Sequence, residues 1–193
     1  MREVVWVGTD DGLVLYEGRG DGAWRRVRRA LAGVPVTAIV ATDAEVLLVR
    51  AADTGHETFD GGETWYPASS TPDLVGKQVV TVRGLVAPAF DRLAGALAYA
   101  RLPGKPAQLV GAGADGSMLF RSYDDGIHWE PVQIVGGGAG IVTSIVPVVG
   151  LPGRGWAGTR RGTLLRTADQ GATWHPVLDA GAPIWCLAAL LLE

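Results

Sequence analysis

Apolar residues in this chain fall in short runs separated by stretches rich in Gly, Asp, Thr and Pro. Four runs are nearly continuous: VPVTAIVA (34–41), LAGALAYA (93–100), GIVTSIVPVV (140–149) and APIWCLAAL (182–190). Runs of this length read as strands buried on both faces. The first three are followed by shorter mixed segments. In the last part of the chain these predict a strand B around Trp156, a strand C around Leu165, a hairpin, and a strand D from Trp174. With the continuous run as strand A, this gives four short antiparallel strands per unit. The 28 Gly and 11 Pro supply the turns and argue against long helices.

The units repeat. WVGTDDGLVLYEGRGDGAWRRV (6–27) and WAGTRRGTLLRTADQGATWHPV (156–177) align without a gap, Trp6 on Trp156 and Trp24 on Trp174. Two further copies lie between them, at 47–67 and 108–132. Three copies share the pattern [S/T]-x-D-x-G-x-x-W. It is carried by Thr58, Asp60, Gly62 and Trp65; by Ser122, Asp124, Gly126 and Trp129; and by Thr167, Asp169, Gly171 and Trp174. The first copy, EGRGDGAW (17–24), keeps only its Trp. The residue types suit a tight hairpin. Gly supplies a left-handed position, Asp and Ser/Thr accept turn N–H groups, and Trp buries area between units. These residues are therefore expected to be structural.

This pattern resembles the Asp-box, or BNR repeat, of sialidases and other sialidase-like and YVTN/BNR-like β-propellers, over nearly the whole chain. The resemblance implies an all-β propeller of four-stranded antiparallel blades, with four blades expected and five as the alternative. The chain starts on a strand B and stops after a strand A. The C-terminal strand is therefore expected to pair with the N-terminal strands and close the ring. The four tryptophans at the fourth-strand position, 24, 65, 129 and 174, are 41, 64 and 45 residues apart. The long gap places an insertion or a degenerate blade at 69–92 within a single domain, 1–193. It includes a strand-like stretch at 79–88.

Composition narrows the function. The net charge of -3 gives no general attraction to nucleic acid or an anionic membrane. One cysteine, Cys186, allows no internal disulfide, and the N-terminus has no apolar leader, so a cytoplasmic protein is expected. The cluster RRVRR (25–29) reads as a charged outer edge strand.

Sialidases, as the resemblance implies, need six blades, three substrate-binding arginines, a Tyr–Glu nucleophile pair and an acidic Asp. Arg101, Leu102 and Pro103 faintly resemble the motif of the first arginine. The segment ARLPGKPAQLVG (100–111) nevertheless parallels VGLPGRGWAG (149–158), so it reads as an ordinary turn between strands A and B. No catalytic residue is assigned. His56, His128 and His175 have no ligand spacing, and no phosphate loop or dinucleotide fingerprint is present. No metal and no cofactor are expected. Cys186 sits in an apolar strand and reads as buried.

The remaining expectation is a non-enzymatic binding module. Its partner would be a protein, with a glycan or a glycoside-hydrolase-like role as the alternative. The B–C turns and D–A loops should share one end of the sheets, carrying Asp10, Asp11, Asp53, Asp115, Arg160 and Arg161, with 69–77 reaching over it. Either a monomer or a homodimer is compatible with this reading.

Overall fold

The computed structural model describes residues 2–19, 22–69, 98–104, 106–113, 115–138 and 140–192. In chain order the strands begin with β1 (Arg2–Thr9), β2 (Gly12–Gly18) and β3 (Arg25–Ala30). Next come β4 (Val36–Ala41), β5 (Leu47–Ala51), β6 (Thr54–Thr58) and β7 (Tyr66–Pro67), then β8 (Tyr99–Leu102), β9 (Gln108–Ala112), β10 (Leu119–Ser122) and β11 (Glu130–Pro131). The chain continues through β12 (Gln133–Ile134), β13 (Val142–Val149), β14 (Gly155–Thr159), β15 (Thr163–Thr167), β16 (Thr173–Asp179) and β17 (Ile184–Leu192). The architecture is all-β, with no helix among the described residues.

Strands β4–β7 and β8–β11 each form a four-stranded antiparallel sheet. A third such sheet is β13–β14–β15–β16, and in the fourth β17 joins β1, β2 and β3. The C-terminal strand therefore pairs with the N-terminal one, from Arg2↔Leu192 to Thr9↔Ile184. Two features depart from four separate sheets. Strand β12 adds in parallel to the outer edge of β16. Strands β13 and β17 pair in parallel at Val148↔Ala189 and Val149↔Leu190, joining two sheets into one of nine strands. Both are first strands of their sheets and run side by side in one direction, so a short ladder forms where they approach. Strand β4 packs on β17 and β8 on β13, giving the inner series β4–β17–β13–β8. The expected insertion or fifth blade at 69–92, the strand at 79–88 and the first part of the run at 93–100 fall on 70–97, outside the described residues.

The core lies between neighbouring sheets. Side chains alternate across a strand. In β1, Val5 and Val7 face the β13–β15 strands, while Trp6 faces β4 and β5. A third cluster joins β8–β10 to β13–β15 around Leu102, Val110, Ile145 and Leu165. Trp6, Trp156 and Trp174 are at most 1% exposed. At roughly 150–250 Å² each and about 25 cal/mol per Å², each stabilises by an upper estimate of roughly 4–6 kcal/mol. Exposed ion pairs contribute about 0–1 kcal/mol, so the buried tryptophans dominate.

The three S/T-x-D-x-G-x-x-W segments fold identically. The hydroxyl of Thr58, Ser122 or Thr167 donates to the Asp two residues on, at 2.7–2.8 Å. It also accepts the N–H of Gly62, Gly126 or Gly171 at 2.8–3.0 Å. The Asp in turn accepts the N–H of Thr64, His128 or Thr173. Finally Trp65, Trp129 or Trp174 donates its indole N–H back to the Gly carbonyl at 3.1–3.2 Å. Gly171 has φ of +81°, and a Cβ there would lie 2.6 Å from Val110. Handedness and close approach both require glycine. His128 lies in its turn, where Nδ1 meets Asp124 Oδ2 at 2.6 Å.

One buried charge cluster spans the ends of the chain. Glu3, 2% exposed, accepts from Trp156 Nε1 at 2.5 Å and from Arg166 Nη2 at 3.1 Å. The Arg166 guanidinium is 5.8 Å from the Trp156 ring centre and 5.9 Å from that of Trp24. This cluster ties β1 to β14 and β15.

Candidate functional site

Backbone hydrogen bonds separate the two ends of the sheets. At one end, Gly33 N–H donates to Asp11 O, Ala52 N–H to Pro35 O, Arg160 N–H to Ile141 O and Ala180 N–H to Gly162 O. The B–C turns are thus laced to the D–A loops. At the other end, Gly61 N–H donates to Glu45 O and Gln170 N–H to Gly153 O, placing the Asp-containing turns beside the A–B turns. Arg101 belongs to β8 and pairs with Asp125 of such a turn.

All six expected site residues lie in turns of the first end. The structure brings two of them together through a third residue that sequence reasoning left in the core. Trp185, half-buried in β17, donates its indole N–H to Asp10 Oδ1 at 2.6 Å. The Arg160 guanidinium stands 5.6 Å from the Trp185 ring centre, within cation–π range. Asp10, Trp185 and Arg160 therefore form one continuous surface of carboxylate, indole and guanidinium.

The other four are engaged separately. Asp11 pairs with Arg29, which also donates to the Asp11 carbonyl at 3.1 Å. Asp115 accepts the N–H of Ser117 at 2.9 Å and its hydroxyl at 2.8 Å, and these bonds hold its carboxyl below the usual range. Arg161 lies over Gly140 and reaches Gly138 O at 3.5 Å. Asp53 stands on the β5–β6 turn with no hydrogen bond to the others among the described residues.

Edge strand β3 carries its arginines largely matched. Arg25 pairs with Glu17, Arg28 with Glu63 and Arg29 with Asp11. Cys186 is 1% exposed, its thiol donates to Val36 O at 3.4 Å, and burial pushes its pKa far up. Among the described residues no group of three or more His, Cys, Asp or Glu is placed to hold a metal ion.

The turn carboxylates are perturbed as well. The Thr64 hydroxyl and N–H, with Thr58, hold Asp60 well below the usual range. The His128 N–H and ring do the same for Asp124. At Asp169 burial is the largest single effect and raises the pKa. Hydrogen bonds from Thr173, Thr167 and Ala172 together outweigh it, so its pKa is also lowered.

No family model and no curated protein matches the chain. Similar solved structures include an ancestral GH74 enzyme, at 17% identity and a TM-score of 0.34, over 89% of this chain and 22% of that one. Another is YCF48 bound to D1 peptide, at 21% identity and a TM-score of 0.32, over 78% and 43%. A third is the α-L-arabinanase of Penicillium chrysogenum complexed with arabinobiose, at 18% identity and a TM-score of 0.31, over 88% and 56%. The chain spans less than two thirds of the length of each. With these TM-scores and identities, the likeness carries nothing about ligand, partner or reaction.

Proposed function

We propose that this chain is a non-enzymatic binding module. In this reading its four sheets are the blades of a small Asp-box propeller, and the end carrying Trp185 meets a protein partner. The observation that carries it is the Asp10–Trp185–Arg160 surface. A half-buried indole fixed at its N–H and flanked by guanidinium is the side-chain combination that dominates protein interfaces. It is fixed before binding, so little side-chain entropy is lost on contact. Two of the carboxylates at that end are already engaged. A glycosidase needs two carboxyl groups free to face a glycosidic bond, whereas Asp10 is held by Trp185 and Asp11 by Arg29.

The test is affinity capture from a lysate of the source organism, with wild type beside Trp185→Ala and Arg160→Ala. A protein retained by wild type and lost by both variants supports the reading. Capture unaffected by either variant, or hydrolysis of fluorogenic glycosides above the blank, overturns it.

A further inference from the structure

Arg160 and Arg161 hold successive exposed positions in the β14–β15 turn. Among the described residues neither has a carboxylate within ion-pair distance. Arg29, at the same end, is matched by Asp11. The carboxylates near the turn are taken up by other donors. Asp10 accepts the Trp185 indole N–H at 2.6 Å. Asp115 accepts both the N–H and the hydroxyl of Ser117. Asp179, whose Oδ1 would lie 2.9 Å from a Cβ on Gly162 of the same turn, accepts the Gly181 N–H at 2.8 Å. Asp53 stands on the β5–β6 turn, with the sheet of β17 and β1–β3 between. The turn therefore presents two cations that the protein does not itself neutralise, in a chain of net charge -3.

The two guanidiniums rest on different neighbours. Arg160 stands 5.6 Å from the ring centre of Trp185 in β17. Arg161 lies over Gly140, in the loop leading to β13, with Nη1 3.5 Å from Gly138 O. They thus form two separate anchor points and do not converge on one. Converging donors would suit a single compact anion such as a phosphate group. Separate ones suit anionic groups spaced along an extended chain. Arginine matches a carboxylate with two parallel N–H bonds, and contact with an indole holds its guanidinium in place beforehand. The indole also supplies apolar contact beside the first anchor.

We infer that the partner meets this end with an acidic, extended peptide segment, its spaced carboxylates on Arg160 and Arg161 and an apolar side chain beside the first of them against Trp185. Recognition of acidic motifs by arginine clusters is a general mode of peptide binding, and complementary charge sets which partner is accepted. This inference rests on the reading of the Trp185 end as a protein-binding surface and names the chemistry of what it binds.

The test selects a displayed library of random peptides on wild type and on the double variant Arg160→Glu with Arg161→Glu. Both side chains are exposed in a turn, so the variant should fold, and thermal unfolding checks that it does. The most enriched wild-type peptide is then titrated by fluorescence polarisation, beside copies with its Asp and Glu changed to Asn and Gln or to phosphoserine. Wild type should enrich spaced Asp and Glu, and the reversed variant Lys and Arg. Affinity should fall at least about tenfold for the Asn/Gln copy. It should fall about threefold or more in Arg160→Lys with Arg161→Lys, which keeps the charge and loses the planar fork. No enrichment on wild type, enrichment without acidic residues, or the same peptides on both proteins overturns the inference. So does about tenfold tighter binding of the phosphoserine copy, which would make the partner a phosphopeptide. Lysate capture separates this inference from the reading beneath it. A protein lost with Trp185→Ala but kept by the reversed variant overturns the acidic segment and leaves the binding end in place. Capture that survives both overturns the binding end itself.

Discussion

Glu3 and Arg166 meet 163 positions apart in sequence, with Nη2 3.1 Å from Oε2 and neither side chain more than 6% exposed. Removing one partner of such a pair leaves an uncompensated buried charge, which costs about 3–5 kcal/mol. Glu3→Ala is therefore expected to lower unfolding free energy by that amount in urea titration. The double variant Glu3→Leu with Arg166→Met is expected to lose less than Glu3→Ala alone. A double variant at least as unstable would show that the pair itself, and not the orphaned charge, sets the cost.

Acid should act through the turn carboxylates. Their folded pKa values are depressed, so their stabilisation is present above the unfolded aspartate value of about 3.9 and is lost as pH falls through the folded values. Stability should be level from about pH 7 to 5 and fall below about pH 4. Urea midpoints across this range would check it, and Asp60→Asn should flatten part of the acid slope.

Glycine positions separate strain from crowding. Gly171 has φ of +81° with Val110 in its way, whereas Gly33 has φ of +77° and open space around it. A left-handed non-glycine residue costs about 1–2 kcal/mol, and overpacking adds about 1–3. Gly33→Ala should thus cost about 1–2 kcal/mol and Gly171→Ala roughly 2–5, both readable by thermal unfolding.

Cys186 is a reporter of the seam between β17 and its neighbours. Its thiol is buried against Val36 O, and a Cβ on Gly8 would lie 2.2 Å from its sulfur. Maleimide labelling under native conditions should therefore proceed no faster than opening of that seam. Labelling at the rate of a free peptide thiol would place Cys186 outside the core.

The turns were legible because their hydrogen bonds close within eight residues, so their residue types appear side by side in sequence. The strands followed from the apolar runs. The parallel contact of β13 with β17 was not legible, since it depends on how closely two sheets approach. Trp185 looked like an inner-strand residue. Its half-exposed place between Asp10 and Arg160 depends on residues 175 and 25 positions away. Glu3 and Arg166 left one usable sign: Glu3 falls on the strand face of Val5 and Val7, and Arg166 on that of Leu164, where alternation predicts a buried side chain.

The pairing of β17 with β1 also sets a timetable. During synthesis β1 emerges well before its partner β17. At about 5–20 residues per second, roughly 10–40 s separate them. Throughout that interval one edge of β1, seven of whose eight residues are buried in the finished protein, has no neighbour. Until β17 appears the ribosome-bound chain is therefore exposed to wrong pairing along that edge, and holdase protection at that stage should raise the yield of folded protein.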